Sequence, residues 1–110
     1  MTGVSGRAVA PPVRSSLRVR ILRSGSAGNA ILLEAAGTRL LIDAGIPLVV
    51  IARELAQLDL EASDLSAVLL THEHDDHARS AGALSSAAGI PVLANERTLQ
   101  QAAIFLGAAA

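Results

Sequence analysis

The sequence predicts an α/β chain in which an antiparallel β-meander is followed by an α-β-α-β-α run, and three observations carry that prediction. Between Leu17 and Asp43 three strand-like stretches are joined by turns too short for a crossover. Stretches of helical period then flank the apolar run Ala67-Val68-Leu69-Leu70, which reads as a buried strand. That run feeds straight into Thr71-His72-Glu73-His74-Asp75-Asp76-His77, which holds all three histidines of the protein and two of its five aspartates.

Residues Met1 to Ser16 carry Gly, Ser, Pro11-Pro12 and isolated Arg without periodicity, the signature of a flexible leader. Leu17-Arg18-Val19-Arg20-Ile21 alternates apolar and charged, as a half-buried strand does. Ser24-Gly25-Ser26-Ala27-Gly28-Asn29 is a turn, and Ala30 to Ala36 returns as a second strand. Gly37-Thr38 connects it to a third, Arg39-Leu40-Leu41-Ile42-Asp43. Pro47 suits the first turn of a helix, where its missing N–H costs nothing, and the helix runs to about Leu58 with Val50, Ile51, Leu55 and Leu58 as its apolar stripe. Ser63-Asp64 begins the approach to the central strand. Beyond the histidines, Ala78 to Ala88 reads as one helix stopped by Gly89. Ile90 to Ala94 is a short strand, and Glu96 to Leu106 a last helix with Leu99, Ala102, Ala103 and Leu106 on one side.

Composition excludes several functions. At 110 residues the chain is one domain at most, with a modest core. One Phe and no Trp or Tyr leave no stacking platform for single-stranded nucleic acid. With no Cys there is neither a disulfide nor a thiolate metal site. The net charge of −1 favours no partner, yet Arg7, Arg14, Arg18, Arg20 and Arg23 all precede the first acidic residue, Glu34. Two readings stand: a basic entrance for a polyphosphate or nucleic acid, or a leader plus a strand with an Arg-bearing outer face. A transit peptide would share that bias. Without an apolar signal core or a run of transmembrane length, the expectation is a soluble, cytoplasmic protein with no membrane partner.

The histidine segment is the chemical signal. Imidazole nitrogen and carboxylate oxygen both suit zinc. In an extended segment residues two apart point the same way, so His72 and His74 can converge, while Asp76 and His77 face a second point nearby. A solvated acidic loop is the plain alternative. The pattern H-x-H-x-D-H resembles the metal-binding motif of the metallo-β-lactamase-fold hydrolases. Ser24–Asn29, Leu41-Ile42-Asp43-Ala44-Gly45-Ile46 and Pro91-Val92-Leu93-Ala94-Asn95-Glu96-Arg97-Thr98 extend the resemblance over roughly residues 17 to 107, to the YycJ/WalJ-like branch of phosphodiesterases and DNA exonucleases.

The resemblance implies the amino-terminal half of a four-layer αβ/βα sandwich, an α+β sandwich whose partial domain here spans residues 17–110. It implies His72 and His74 on one divalent ion and Asp76 and His77 beside another, with Asp76 also catalytic. The ions are zinc in the first instance, with manganese or iron as substitutes. They would share a water whose pKa such binding lowers to about 7. Asn29, Asp43 and Thr71 fall behind the ligands. Asp43 is open to two compatible roles, capping its own turn or accepting a hydrogen from a ligand histidine or a loop N–H. The Ser24–Asn29 turn lacks the Gly-Lys-Ser/Thr ending of a nucleotide loop, and is either a tight turn needing glycine or a support for the site through Asn29. Glu73 and Asp75 tune charge and do not ligate.

Zinc takes about four ligands, and four candidates give two ions only two each. After His77 there is no His or Asp, and Glu96 is the sole carboxylate. The resemblance therefore implies that further histidines and a bridging aspartate come from a second half. Three functions follow: a metal-dependent phosphodiesterase or nuclease acting on nucleic acid or a small phosphodiester, a thioester, lactone or β-lactam hydrolase, and a truncated non-catalytic remnant.

Overall fold

A computed structural model describes residues 17–106. The leader expected over residues 1–16 and the closing alanines lie outside them. Strands β1 (Arg18–Arg23), β2 (Ala30–Ala35) and β3 (Thr38–Ile42) form the antiparallel meander. Thr38, expected in the connection, already pairs with Ala35, so the loop is two residues, Ala36 and Gly37, at φ 49° and 82°. Two positive φ values define the primed hairpin turn that matches strand twist.

From β3 the chain crosses over through α1 (Leu48–Ala56) and a 3₁₀ turn (Ala62–Asp64) to β4 (Ala67–Leu69), which pairs parallel with β3. It crosses again through α2 (Asp75–Ala78) and α3 (Ala81–Ala88) to β5 (Val92–Leu93), parallel to β4. Helices α4 (Glu96–Gln101) and α5 (Ala103–Leu106) follow, and the strand order is β1-β2-β3-β4-β5. No helix among the described residues is long and apolar enough to cross a membrane.

Three expected helices differ in detail. Pro47 is the residue before α1 rather than in its first turn, and the helix stops at Ala56. Asp59 at φ 59° ends it, with the Leu60 and Asp59 amides bonded to the Leu55 and Ala56 carbonyls in a Schellman closure. Residues 78–88 are not one helix: the Ser80 amide donates to the Ala44 carbonyl at 2.8 Å and its hydroxyl to that of Ile46, which breaks the ladder. The last helix breaks at Ala102, and Ala103 faces solvent while Ala102 and Leu106 are buried.

The core lies on one face of the sheet. Leu32, Leu41 and Val68 stand side by side in register and pack with Ile51 and Leu55 of α1, Leu84 of α3, and Leu106. Strand β1 departs from expectation. Its pairing sets Arg20 opposite Leu32 and Ile21 opposite Ile31, so the arginines join the helix-side face and the aliphatics the other. Val19 and Ile21 are 57% and 66% exposed, and Leu93 on the same face is 47% exposed. The alternation is real, but among the described residues nothing covers its apolar side. At the far end of the helix-side row, Arg39 Nε meets Glu34 Oε2 at 2.8 Å.

Ala36 supplies the fold's clearest stability test. A left-handed backbone costs a non-glycine residue roughly 1–2 kcal/mol, and Asn visits it more easily than Ala. Ala36→Asn should therefore raise the unfolding free energy by about 1 kcal/mol in urea denaturation. An unchanged or lower midpoint would count against the turn as described.

Candidate metal centre

The site is built where β3 and β4 end together. Asp43 leaves β3 at φ 67°, and its amide still donates to the Leu69 carbonyl at 2.8 Å, adding one more rung to the parallel pair. Asp is among the few non-glycine residues that tolerate this backbone. The turn swings the side chain, 5% exposed, beneath the histidine loop. There Asp43 Oδ1 accepts from the Thr71 amide at 2.8 Å, and Oδ2 from the Thr71 hydroxyl at 2.6 Å. His77 Nδ1 lies 2.7 Å from the same Oδ2. A buried carboxylate needs hydrogen-bond donors at both oxygens, and these three supply them.

Close backbone packing fixes the loop from the other side. A Cβ on Gly45 would stand 1.8 Å from the Asp76 carbonyl oxygen, and one on Gly28 would stand 2.5 Å from that of Gly45. Three segments stack there with no room for side chains, and their amides interlock. Asn29 N–H donates to Asp76 O at 2.8 Å, Ala44 N–H to His77 O at 2.7 Å, and Gly45 N–H to Asn29 O at 2.9 Å. The Asn29 side-chain amide donates to the carbonyls of Gly25 at 3.0 Å and Asp76 at 3.1 Å, and its oxygen accepts from Gly25 N–H at 3.2 Å. The amides of Gly25, Gly28 and Asn29 are thus spent inside the protein, which leaves none of the three for an oxyanion. Gly45, Gly28 and Ser80 are the positions sequence reasoning missed. A glycine two residues after a strand-ending Asp was the available signal for the first.

The four expected ligands lie at this end of the sheet, in the loop after β4 and the first turn of α2. The strand ends at Leu69, earlier than an extended reading of residues 71–74 requires, and His74 becomes the residue preceding α2. The His72 and His74 rings stack with centroids 6.1 Å apart and planes at 20°, and the His77 ring is 4.6 Å from His72. His77 Nε2 is 3.6 Å from Asp76 Oδ2. Two donors on one tetrahedral zinc, each at about 2.0–2.2 Å, sit roughly 3.4 Å apart, so this pair fits one ion with little movement. The carboxylate bonded to His77 Nδ1 is the outer partner that metal-bound imidazoles usually have. No group of three or more His, Asp or Glu among the described residues surrounds a common point. Glu73 Oε2 lies 3.4 Å from His74 Nε2, and Asp75 lies in the exposed first turn of α2.

Residues 23–102 match the family model described as the Metallo-beta-lactamase superfamily. The chain is 44% identical over 80 residues to "Exodeoxyribonuclease WalJ" of Streptococcus pneumoniae, covering 73% of this chain and 30% of the relative. It is 38% identical over 82 residues to "Exodeoxyribonuclease YycJ" of Bacillus anthracis, covering 74% and 31%. It thus spans about a third of the length of these curated relatives. A B3 metallo-beta-lactamase with an active-site glutamic acid superposes with a TM-score of 0.65 at 27% identity, over 76% of this chain and 32% of that one. A metallo-beta-lactamase of Cronobacter sakazakii gives 0.62 at 27% identity, over 66% and 30%.

Two substitutions test the geometry without reference to activity. Asp43→Asn turns one acceptor oxygen into a donor facing donors, and should cost roughly 2–3 kcal/mol. Gly45→Ala drives a methyl into the Asp76 carbonyl and should cost about 3 kcal/mol. Chemical denaturation measures both, and a loss below about 0.5 kcal/mol in either, the range of featureless surface changes, would refute the corresponding contact.

Proposed function

The chain belongs to the metallo-beta-lactamase superfamily, and from that premise we propose that it forms part of a divalent-metal-dependent hydrolase that degrades DNA from a strand end. The observation that carries the hydrolase reading is the Asp43–His77 bond, which leaves His77 Nε2 facing Asp76 Oδ2 at 3.6 Å. The nucleic-acid substrate is supported by the 44% and 38% identity to relatives named exodeoxyribonucleases.

In this reading His72 and His74 hold one ion, and Asp76 and His77 a second. Zinc suits these nitrogen and oxygen donors, as do manganese and iron. Bound there, such ions supply Lewis acidity toward a phosphoryl oxygen and a nucleophile at neutral pH by lowering the pKa of water. The chain's own part is placement. Asp43 orients His77, Thr71 ties the loop to Asp43, and Asn29 holds the Asp76 backbone. The family resemblance assigns Asp76 a catalytic part as well as a ligating one, and its Oδ2 lies 3.6 Å from His77 Nε2 and 3.5 Å from Asn29 Nδ2. Donors from outside residues 71–77 complete the coordination. Arg18, Arg20 and Arg23 lie exposed along β1 and offer charge to a phosphate backbone.

A second reading, hydrolysis of a β-lactam or a related thioester or lactone, is favoured by the structural likeness to β-lactamases at 27% identity. It ranks below the first because the exodeoxyribonuclease relatives are the more similar in sequence.

A protein in which this chain is joined to the second half that supplies the remaining donors should shorten linear DNA with zinc or manganese present and stop when EDTA removes the metal. His74→Ala should lower the rate by more than the roughly 10–100-fold that losing an outer partner costs, while leaving the fold intact. Full activity in that variant would remove His74 from the ligand set. Faster turnover of a β-lactam than of DNA would instead select the second reading.

A further inference from the structure

We propose that the Thr71 hydroxyl is a positioning relay that fixes which ring nitrogen of His72 stays bare, so that the Asp43 carboxylate orients two imidazoles. The inference rests on the reading of His72 as a metal ligand. Thr71 Oγ1 and His77 Nδ1 lie 2.6 Å and 2.7 Å from Asp43 Oδ2. A carboxylate oxygen only accepts, so both neighbours donate to it. The hydroxyl has one hydrogen, and this bond uses it.

The same hydroxyl oxygen lies 2.9 Å from His72 Nδ1. With its own hydrogen committed, it can only accept there, so the ring carries its hydrogen on Nδ1. His77 Nδ1 is 3.5 Å from Thr71 Oγ1, well beyond its distance to Asp43, so its hydrogen belongs to the carboxylate. The order is therefore His72 Nδ1–H to Thr71 Oγ1–H to Asp43 Oδ2, met from the other side by His77 Nδ1–H. Both rings present a bare Nε2. Neutral imidazole otherwise has two tautomers to choose from, and the wrong one offers a metal a hydrogen in place of a lone pair.

Long-range ¹H–¹⁵N correlation on the metal-free, ¹⁵N-labelled protein reads the tautomers directly, at a pH where the same spectrum reports neutral rings. His72 and His77 should both be Nδ1–H in the wild type and in Thr71→Ser. Thr71→Val keeps the shape and the backbone bond to Asp43 and removes only the hydroxyl. In it His77 should stay Nδ1–H while His72 loses its preference. A His72 ring carrying its hydrogen on Nε2 in the wild type, or one that Thr71→Val leaves unmoved, overturns the relay. Zinc titration separates this result from the reading beneath it. Thr71→Val should bind zinc about 10–100-fold more weakly, with Thr71→Ser near wild type. A shifted His72 tautomer with zinc affinity unchanged would uphold the relay and strike His72 from the ligands.

Discussion

A single buried carboxylate bears the placement of the histidine loop. Asp43 accepts from an amide, a hydroxyl and an imidazole, and each bond to a charged acceptor contributes on the order of 1.5–3 kcal/mol. Those bonds offset two costs, the removal of a charge from water and a left-handed backbone at φ 67°. The strained turn has a geometric use. It takes the chain off β3 at the point where the side chain must pass beneath the end of β4.

Hydrogen bonds and backbone packing, more than apolar burial, hold the histidine loop. His72 and His74 are exposed, and of the residues from Thr71 to Ala78 only Ala78 is fully buried. An exposed ring is not anchored by its own burial, so the anchoring passes to its neighbours. Gly28, Gly45 and the Asp76–His77 backbone stack without side chains between them, and Asn29 bonds to both the turn and the loop. Ser80 ties the start of α3 back to Ala44 and Ile46, which is why the helix after the site is broken.

The two faces of the sheet differ in kind. Leu32, Leu41 and Val68 are sealed beneath the helices, whereas Val19, Ile21 and Leu93 stay open on the opposite face. Fully covering an aliphatic side chain contributes about 1.5–3 kcal/mol, so an added layer would contribute most there. The matched residues make up 30% and 31% of the curated relatives' length.

Much of this was legible in the chain alone. The meander, the α-β-α-β-α order after it, the Gly89 helix stop and the identity of the donor-rich loop are local properties, set by spacing between neighbours and by which atoms can bind a cation. What failed to read through depended on partners far away in sequence. The alternation in β1 could not say which side is covered, because that depends on its register against Leu32 and Ile31. The break at Ser80 depends on carbonyls 34 and more residues earlier. Asp43 was open between a local cap and a support for the loop until folding brought Thr71 and His77 to its oxygens across 28 and 34 residues. Sequence alone determined which side chains can carry the chemistry. Only the tertiary structure decided which of their atoms are held and which are left free, because a hydrogen bond needs both partners in place and the chain places the second one only by folding.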